Sequence, residues 1–166
     1  DKLESLENEI ANLTYELDML KSYFDDPEID FHKLNPDAHI PEYATYGSAG
    51  MDLRACLKES VAVMPDAVVC IPTGLAISLP PGFEAQVRPR SGLSMKGISV
   101  ANSPGTIDED FVNSEIKVII RNHGSMFTVH DGDRIAQLVF ARVIRPRHRV
   151  VAATKRSGGF GSTGLK

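Results

Sequence analysis

The sequence has few cysteines, no long apolar run and no excess of basic residues, and each shortage excludes a class of protein. Its 166 residues include two cysteines, Cys56 and Cys70. Their spacing fits neither a metal site nor a disulfide framework, so we expect two small buried side chains in a reducing compartment. No segment is long enough to span a membrane, and the first residues carry no secretory signal. We therefore expect a cytoplasmic protein, of bacterial, phage or viral origin.

The charge balance is mildly acidic, with a formal net charge of -4. Such a balance argues against a protein that coats nucleic acid. A polyanionic substrate would need cations gathered locally, and the candidates are Arg88, Arg90, Arg134 and Arg156. The length suits one ordinary domain with an appendage, and the composition is typical of a globular chain.

Residues 1–24 carry apolar side chains at alternating spacings of three and four. They are Leu3, Leu6, Ile10, Leu13, Leu17, Leu20 and Phe24. This heptad seam is flanked by oppositely charged residues, Lys2 with Glu7 and Glu16 with Lys21, and it predicts a coiled-coil helix. A helix that packs on its own domain usually shows a broader apolar stripe. The seam leaves the strand number open, and the helix could serve trimerisation, a protein partner or both.

Three regions follow the helix. Residues 25–29 are acidic, contain a proline and form the predicted linker. In residues 30–153, short segments rich in valine, isoleucine and leucine alternate with prolines and glycines, which predicts an antiparallel sandwich or barrel. The predicted strands are Ser60–Met64, Ala67–Ile71, Leu75–Leu79, Glu84–Arg88, Ile116–Arg121 and Ile135–Val143. Residues 154–166 are polar and glycine-rich, and predict a flexible arm that could act as a lid.

Five short segments occur in a defined order in this part of the chain. They are residues 49–55 (AGMDLRA), 89–94 (PRSGLS), 105–111 (GTIDEDF), 132–138 (GDRIAQL) and 158–164 (GGFGSTG). Their order and spacing resemble the five motifs of the trimeric dUTP pyrophosphatases (dUTPases). The resemblance implies an all-β, distorted jelly-roll barrel that forms a homotrimer, with Mg²⁺ as cofactor and active sites at subunit interfaces. It also implies hydrolysis of dUTP to dUMP and pyrophosphate, which keeps uracil out of DNA and supplies dUMP for dTMP synthesis.

Two aspartates are candidates for catalysis and metal binding. By resemblance, Asp108 is the base that activates and orients the attacking water, although on the residues alone it could equally cap a turn. Asp110 is the better candidate for such a structural aspartate. By resemblance, Asp52 helps to hold Mg²⁺, mainly through the water molecules that this ion retains.

The nucleoside would be recognised around a hairpin. By resemblance, the residues that bind uracil, partly through their main chain, are Asn102, Gly105, Thr106, Ile107 and Lys117. Phe111 stands where the family usually has a tyrosine that packs on the deoxyribose and excludes a 2′-hydroxyl; without the resemblance it would be an ordinary core aromatic. Asn113-Ser114 replaces a single glycine of the family and lengthens the turn, which asparagine tolerates because it can adopt left-handed backbone geometry.

The phosphates would be held by two further groups. By resemblance, the residues on the body of the protein are Arg90, Ser91, Gly92 and Gln137. The arm, which closes over a neighbouring subunit's site, adds Arg156, Gly161 and Ser162, with Lys155 as the alternative to Arg156. By resemblance, Phe160 on the same arm stacks over the uracil. The spacing between Arg156 and the following glycine pair is one residue shorter than is usual in the family. We expect Asp133 and Arg134 to form a structural pair between strands.

Three other functions need to be compared with dUTP hydrolysis. A dCTP deaminase of the same fold needs a glutamate where this chain has Ile119, so deamination is not expected. The glycine-rich tail is not a Walker loop, because Leu165 stands where the lysine must be. A regulatory or interaction protein on the same fold, which acts through its coiled coil, stays open because a fold alone does not determine function.

Overall fold

A computed structural model describes residues 2–24 and 27–151, and within the first helix the side chains of residues 2–15 and 17. Helix α1 spans Lys2–Phe24. Its described seam residues are exposed by 47 to 65%: Leu3, Leu6, Ile10, Leu13 and Leu17. No described helix is apolar enough over the length that crossing a bilayer requires. The helix therefore presents an apolar row to its surroundings, and the coiled coil stays a prediction.

The rest of the described chain is almost entirely β-structure. Its strands are β1 Asp30–Lys33, β2 Glu42–Tyr43, β3 Met51–Arg54, β4 Val61–Val63, β5 Val68–Pro72, β6 Leu75–Ser78, β7 Phe83–Arg88, β8 Ile98–Val100, β9 Gly105–Ile107, β10 Lys117–Asn122, β11 Phe127–Val129 and β12 Arg134–Arg142. A single helical turn, α2, spans Ser91–Ser94. The mostly β fold is as predicted, and all six predicted strands are present within one or two residues of their predicted ends.

The strands form antiparallel sheets of unequal size. The largest has the order β2-β3-β12-β7-β9, with the long strand β12 between β3 and β7, and a second has the order β5-β10-β8. Two strand pairs, β1 with β6 and β4 with β11, complete the described sheets. Because strand neighbours are rarely sequence neighbours, the central sheet brings the segments at residues 51–54, 83–88, 105–107 and 134–142 side by side.

The core is aliphatic and follows the two-residue alternation of the strands. In β10, Val118 and Ile120 are buried whereas Lys117 and Arg121 are exposed, as expected for a strand with one covered face. The largest buried apolar side chains are Leu53, Ile71, Leu75, Ile77, Ile98, Ile116, Ile120 and Leu138. Removal of this apolar surface from water is the main force that holds the sheets together.

The two cysteines do not share one environment. Cys56 is buried, as predicted, and burial together with the negative charges of Asp131, Asp37 and Glu115 raises the pKa of its thiol. The prediction for Cys70 was wrong, because this residue is exposed on β5. An apolar stretch such as Val68–Pro72 does not reveal which of its two faces is covered, and Cys70 lies on the open face.

Candidate active site

A cavity of about 290 Å³ opens between strand β9 and the start of β10. Its walls include all the described residues that the sequence analysis linked to uracil and deoxyribose: Asn102, Gly105, Thr106, Ile107, Phe111 and Lys117. The remaining lining residues are Cys70, Val87, Glu115, Ile116 and Ile119. The cavity thus combines an amide and main-chain groups with apolar walls, a combination suited to a flat, polar-edged ring.

Gly105 lies where the wall of this cavity leaves little room for a side chain. A Cβ on Gly105 would lie 3.1 Å from Nδ2 of Asn102 and 3.3 Å from Cβ of Val87, which is closer than most Cβ contacts. The absence of a side chain at Gly105 therefore lets the Asn102 amide lie directly against the strand backbone. Gly105 and the Asn102 side chain therefore lie side by side in the wall of the cavity.

A lengthened turn connects β9 to β10 and carries Asp108 and Phe111. Asp108 is exposed immediately after β9, and its carbonyl oxygen accepts a hydrogen bond of 3.1 Å from the Phe111 backbone nitrogen. Asn113 has a φ of 59°, the left-handed conformation that the sequence analysis anticipated for the extra residue. The insertion is therefore absorbed at the tip of the turn, and Phe111 and Lys117 line the same cavity.

The far side of this turn is attached to the β5–β6 connection. Glu115 Oε1 accepts a hydrogen bond of 3.0 Å from the Gly74 backbone nitrogen, and Glu115 Oε2 lies 3.5 Å from Lys117 Nζ. The buried Thr73 hydroxyl donates to the Ile116 carbonyl oxygen at 2.6 Å. These bonds attach the residues before β10 to the β5–β6 connection, so that Lys117, the first residue of β10, lies beside the cavity.

A second polar cluster surrounds Asp52 on β3. Its Oδ1 atom lies 2.9 Å from Nε of Arg90, and its Oδ2 atom lies 3.2 Å from Nη1 of Arg134. Arg90 also donates from Nη1 to the Arg134 carbonyl oxygen at 3.1 Å. One carboxylate thus orders two guanidinium groups, which are well suited to bind phosphate oxygens.

Gln137 lies beside Asp52 in the same cluster, because the two residues are direct partners in the β3–β12 pairing. Its Nε2 donates to the Pro89 carbonyl oxygen at 2.9 Å, which fixes the start of the loop that contains Arg90. A side chain on Gly50 would overlap Oε1 of Gln137. Ser91 and Gly92 follow Arg90 in α2 and are exposed, so their backbone and hydroxyl groups are accessible to an anion.

The cluster fits a hydrated Mg²⁺ and does not fit an ion bound wholly by protein. Within the described residues, no group of three or more histidine, cysteine, aspartate or glutamate side chains could hold a metal. Asp52 offers a single, partly exposed carboxylate. Mg²⁺ commonly retains several waters and takes its other ligands from one carboxylate and substrate phosphates, so the donor set is adequate for that mode alone.

Some predicted residues lie elsewhere than expected. Asp133 does not pair with Arg134 as predicted: its Oδ2 accepts a hydrogen bond of 2.8 Å from the His130 backbone nitrogen, and Arg134 contacts Asp52 instead. Arg88 donates to Oε1 of Gln86 rather than contributing to the Asp52 cluster. The predicted arm residues Arg156, Phe160, Gly161 and Ser162 lie outside the described residues.

Sequence reasoning missed several residues of the site. Cys70, Val87 and Ile119 come from three different strands, and only the strand order brings them to one cavity. Arg134 was named as a candidate cation for a polyanionic substrate, but its contact with Asp52 was not predicted. Asp108, Asp52 and Arg90 are not among the lining residues of the cavity, so it lacks the residues predicted for catalysis, metal binding and phosphate binding.

Comparison with known proteins agrees with this geometry. The model of the dUTPase family matches residues 36–164. The deoxyuridine 5'-triphosphate nucleotidohydrolase of Rickettsia prowazekii is 50% identical over 145 residues, which cover 83% of this chain and 97% of the relative. That of Desulfotalea psychrophila is 51% identical over 132 residues, which cover 76% of this chain and 87% of the relative.

Solved structures support the fold. A variant of the Staphylococcus bacteriophage 80alpha dUTPase with dUpNHpp aligns with a TM-score of 0.72 and 24% identity, over 83% of this chain and 99% of that one. A variant of the dUTPase from phage phi11 of S. aureus, described with a structural Mg(II) ion, aligns with a TM-score of 0.68 and 22% identity, over 76% of this chain and 97% of that one.

Proposed function

The chain belongs to the dUTPase family, and on that premise we propose that it hydrolyses dUTP to dUMP and pyrophosphate. The observation that carries the proposal is the single cavity lined by Asn102, Gly105, Thr106, Ile107, Phe111 and Lys117, from which the chain leads directly to Asp108. The physiological consequence would be removal of uracil from the DNA precursor pool and supply of dUMP for dTMP synthesis. Action on free nucleotides suits a cytoplasmic enzyme.

Uracil would enter the cavity with its polar edge toward Asn102 and the β9 backbone. An amide carries both a donor and an acceptor, which matches the N3–H and O4 pattern of uracil. The ring of Phe111 would pack on the deoxyribose, and its bulk would exclude a 2′-hydroxyl. Ile119 offers no proton-transfer group near the base, so the site is suited to hydrolysis at phosphorus and not to deamination.

Asp108 would act as the general base. Its carboxylate would accept a proton from a water molecule as the water oxygen bonds to the α-phosphorus, and the bond from that phosphorus to the α–β bridging oxygen would break. Pyrophosphate would leave with the electron pair of that bond. Arg90, Ser91, Gly92 and Gln137 would hold the phosphate oxygens, with Arg134 as an additional cation. Mg²⁺, oriented by Asp52 through water, would neutralise phosphate charge when bound.

A homotrimer with interface active sites would join the nucleoside cavity of one subunit to the Asp52 cluster of another. The arm, residues 154–166, would close over a neighbouring subunit's site through Arg156, Phe160, Gly161 and Ser162. The α1 helices of the three chains would associate through their seams, since each described seam residue exposes about half or more of its apolar surface to water. The coil would then reinforce the trimer formed by the domain of residues 30–153.

Pyrophosphate release tests the proposal directly. The purified chain would be incubated with Mg²⁺ and, separately, dUTP, dCTP, dTTP or UTP, beside an Asp108→Asn variant that keeps the shape and removes the base. We expect release from dUTP alone, reduced by at least about 100-fold in the variant, since a positioned general base typically contributes 10²–10⁴-fold. Release from no nucleotide would contradict the proposal and favour a regulatory or interaction role for the chain.

A further inference from the structure

The Glu109 carboxylate connects three segments that are far apart in the sequence. Its Oε2 atom accepts a hydrogen bond of 2.7 Å from the Gly82 backbone nitrogen, and its Oε1 atom lies 3.4 Å from Nη2 of Arg145. Gly82 directly precedes strand β7, and Arg145 lies shortly after the end of β12. We refer to Gly82, Glu109 and Arg145 as the Glu109 clamp.

A backbone hydrogen bond also joins Gly82 to the segment that contains Arg145. The Gly82 carbonyl oxygen accepts a hydrogen bond of 2.8 Å from the Val143 nitrogen, two residues before Arg145. Gly82 thus donates to the turn that follows β9 and accepts from the segment that follows β12. Its φ of 80° is a conformation that side chains other than glycine seldom adopt, so this geometry depends on the residue type.

Asp108 lies between the last sheet-paired residue and the clamp. The β7–β9 pairing ends at Ile107, which faces Ala85. Beyond that point the backbone is held by the bond between the Asp108 oxygen and the Phe111 nitrogen, and by the side chain of Glu109. The bond between Asp108 and Phe111 lies within the turn, so it cannot by itself fix the angle between the turn and the sheet. The Glu109 bond to Gly82 connects the turn to the sheet and so gives the Asp108 side chain a defined direction.

We infer that Glu109 is a positioning residue for Asp108, which acts through its hydrogen bond to the Gly82 nitrogen and holds the base against the end of the central sheet. The inference rests on the proposed function. It assigns a role to a residue that the motif resemblance leaves without one. Gly82 also holds the chain that leaves β12, through the hydrogen bond from the Val143 nitrogen to its carbonyl oxygen.

Electrostatics agree with this arrangement. The Gly82 N–H bond, followed by the nearby Arg145 charge, lowers the pKa of Glu109, so the carboxylate is ionised and accepts hydrogen bonds at neutral pH. Arg145 is well exposed, and exposed ion pairs contribute little. The hydrogen bond to Gly82 is therefore the main contact of the clamp, and the ion pair is secondary.

Three variants of the full chain separate these contacts. Glu109→Ala removes both, Glu109→Gln keeps an acceptor oxygen for the Gly82 nitrogen and removes the charge, and Arg145→Gln removes the ion pair alone. Glu59→Ala is the matched control, because Glu59 is an exposed glutamate on the loop between β3 and β4. Each variant would be assayed for kcat and KM with dUTP, for the Kd of the non-hydrolysable analogue dUpNHpp, and for thermal unfolding.

A displaced base should lower the rate and leave binding intact. We expect kcat to fall about tenfold in Glu109→Ala, since small misplacements of a reacting group can cost up to 10²-fold. KM and the Kd of dUpNHpp should stay within about twofold, because Glu109 does not line the nucleoside cavity. Glu109→Gln should recover most of kcat, and Arg145→Gln and Glu59→Ala should resemble the parent chain.

Several results would overturn the inference. Equal loss in Glu109→Gln and Glu109→Ala would mean that charge, and not the bond to Gly82, matters. A parallel loss of dUpNHpp binding would indicate general disruption of the hairpin, and unchanged kcat in Glu109→Ala would remove the role altogether. A parent chain that does not hydrolyse dUTP would overturn the proposed function and this inference together, whereas an active parent with unaffected variants would overturn this inference alone.

Discussion

Asn122 is a polar side chain in an apolar core, and every atom that needs a hydrogen bond has one. Its Nδ2 donates to the carbonyl oxygens of Val63 and Ser125, both at 2.8 Å, and its Oδ1 accepts from the Gly124 nitrogen at 2.8 Å. It therefore joins the end of β10 to β4 and to the turn that precedes β11. In the sequence, an asparagine before His123-Gly124 resembles any surface turn residue, so its burial could not be predicted.

Replacement of Asn122 by alanine should be strongly destabilising. The change leaves two carbonyl oxygens and one backbone N–H without their partners, and each unsatisfied buried group costs about 1–3 kcal/mol. We expect a loss of about 3 kcal/mol in the free energy of unfolding, measured by urea denaturation, with Ser60→Ala as an exposed control. A loss below about 1 kcal/mol would contradict the three-bond arrangement.

The residues of the Asp52 cluster could be predicted from the sequence, but one of its contacts could not. Asp52, Arg90 and Gln137 were predicted from motifs, because their residue types suit metal and phosphate chemistry. The pairing of Asp52 with Arg134 was not, since it depends on the register of β3 against β12 and on the bulge between Arg134 and Ala136. Register depends on how the apolar faces of two strands match and on the connection between them, and β3 and β12 lie too far apart in the sequence for a short connection to fix it.

Among the elements, the turn between β9 and β10 departs most from the family pattern and still supports the site. Its extra residue lies at a left-handed position, Asn113, where asparagine is tolerated. The six predicted strands had strong apolar patterns. The other six described strands did not, because two to four residues are too few to show a clear period: β1, β2, β3, β8, β9 and β11.

A β-branched residue at Asn113 should destabilise this turn. Left-handed geometry costs such a residue roughly 1–2 kcal/mol, so Asn113→Val should lower both the free energy of unfolding and kcat, whereas Asn113→Gly should preserve them. Asp66 is the matched control, because its φ of 62° lies on the β4–β5 turn, outside the candidate site. Asp66→Val should lose similar stability with kcat unchanged; an equal loss of kcat in both variants would refute a local effect of Asn113.

The Glu109 clamp predicts a pH dependence of stability. A lowered pKa in the folded state means that the unfolded chain binds the proton more readily, so the contribution of Glu109 is present above the ordinary glutamate pKa and is lost as the pH falls through the folded-state pKa. The parent chain should therefore have a higher Tm than Glu109→Gln above the ordinary glutamate pKa, and the two should converge as the pH falls through the lowered folded-state pKa. A Tm difference that does not change with pH would contradict the shift.

At the scale of the whole molecule, the fold class followed from composition and strand patterns, and the family from five motifs. The sequence patterns gave weaker evidence for the assembly of several chains. The cavity beside β9 contains no residue of the Asp52 cluster, and the cluster contains no residue of the cavity. If one site uses both, a neighbouring chain is expected to bring them together. The helix adds a second reason, because an exposed apolar row from Leu3 to Leu17, about 21 Å long, is unfavourable in water.

The charges beside the seam favour parallel helices. In a parallel, in-register coil, Lys2 faces Glu7 and Glu16 faces Lys21 of the neighbouring chain, and both pairs attract. In the antiparallel arrangement with the greatest overlap, Glu9 would face Glu16 twice, which is repulsive. Parallel helices also suit a threefold assembly, in which all three chains leave the domains on the same side.

Cross-linking distinguishes the two arrangements in the full chain. Leu6→Cys, made in a Cys70→Ser background to remove the other exposed thiol, places identical residues in one layer of a parallel coil, so oxidation should yield disulfide-linked chains. In the antiparallel arrangement Leu6 lies beside Leu17 of its partner, and linkage should be absent. Ser5→Cys, one position outside the seam, is the control and should link poorly. If the domain forms the proposed trimer without the helix, light scattering should show a trimer before oxidation and after deletion of residues 1–24. A monomer in both cases would refute the trimer and, with it, the shared active site.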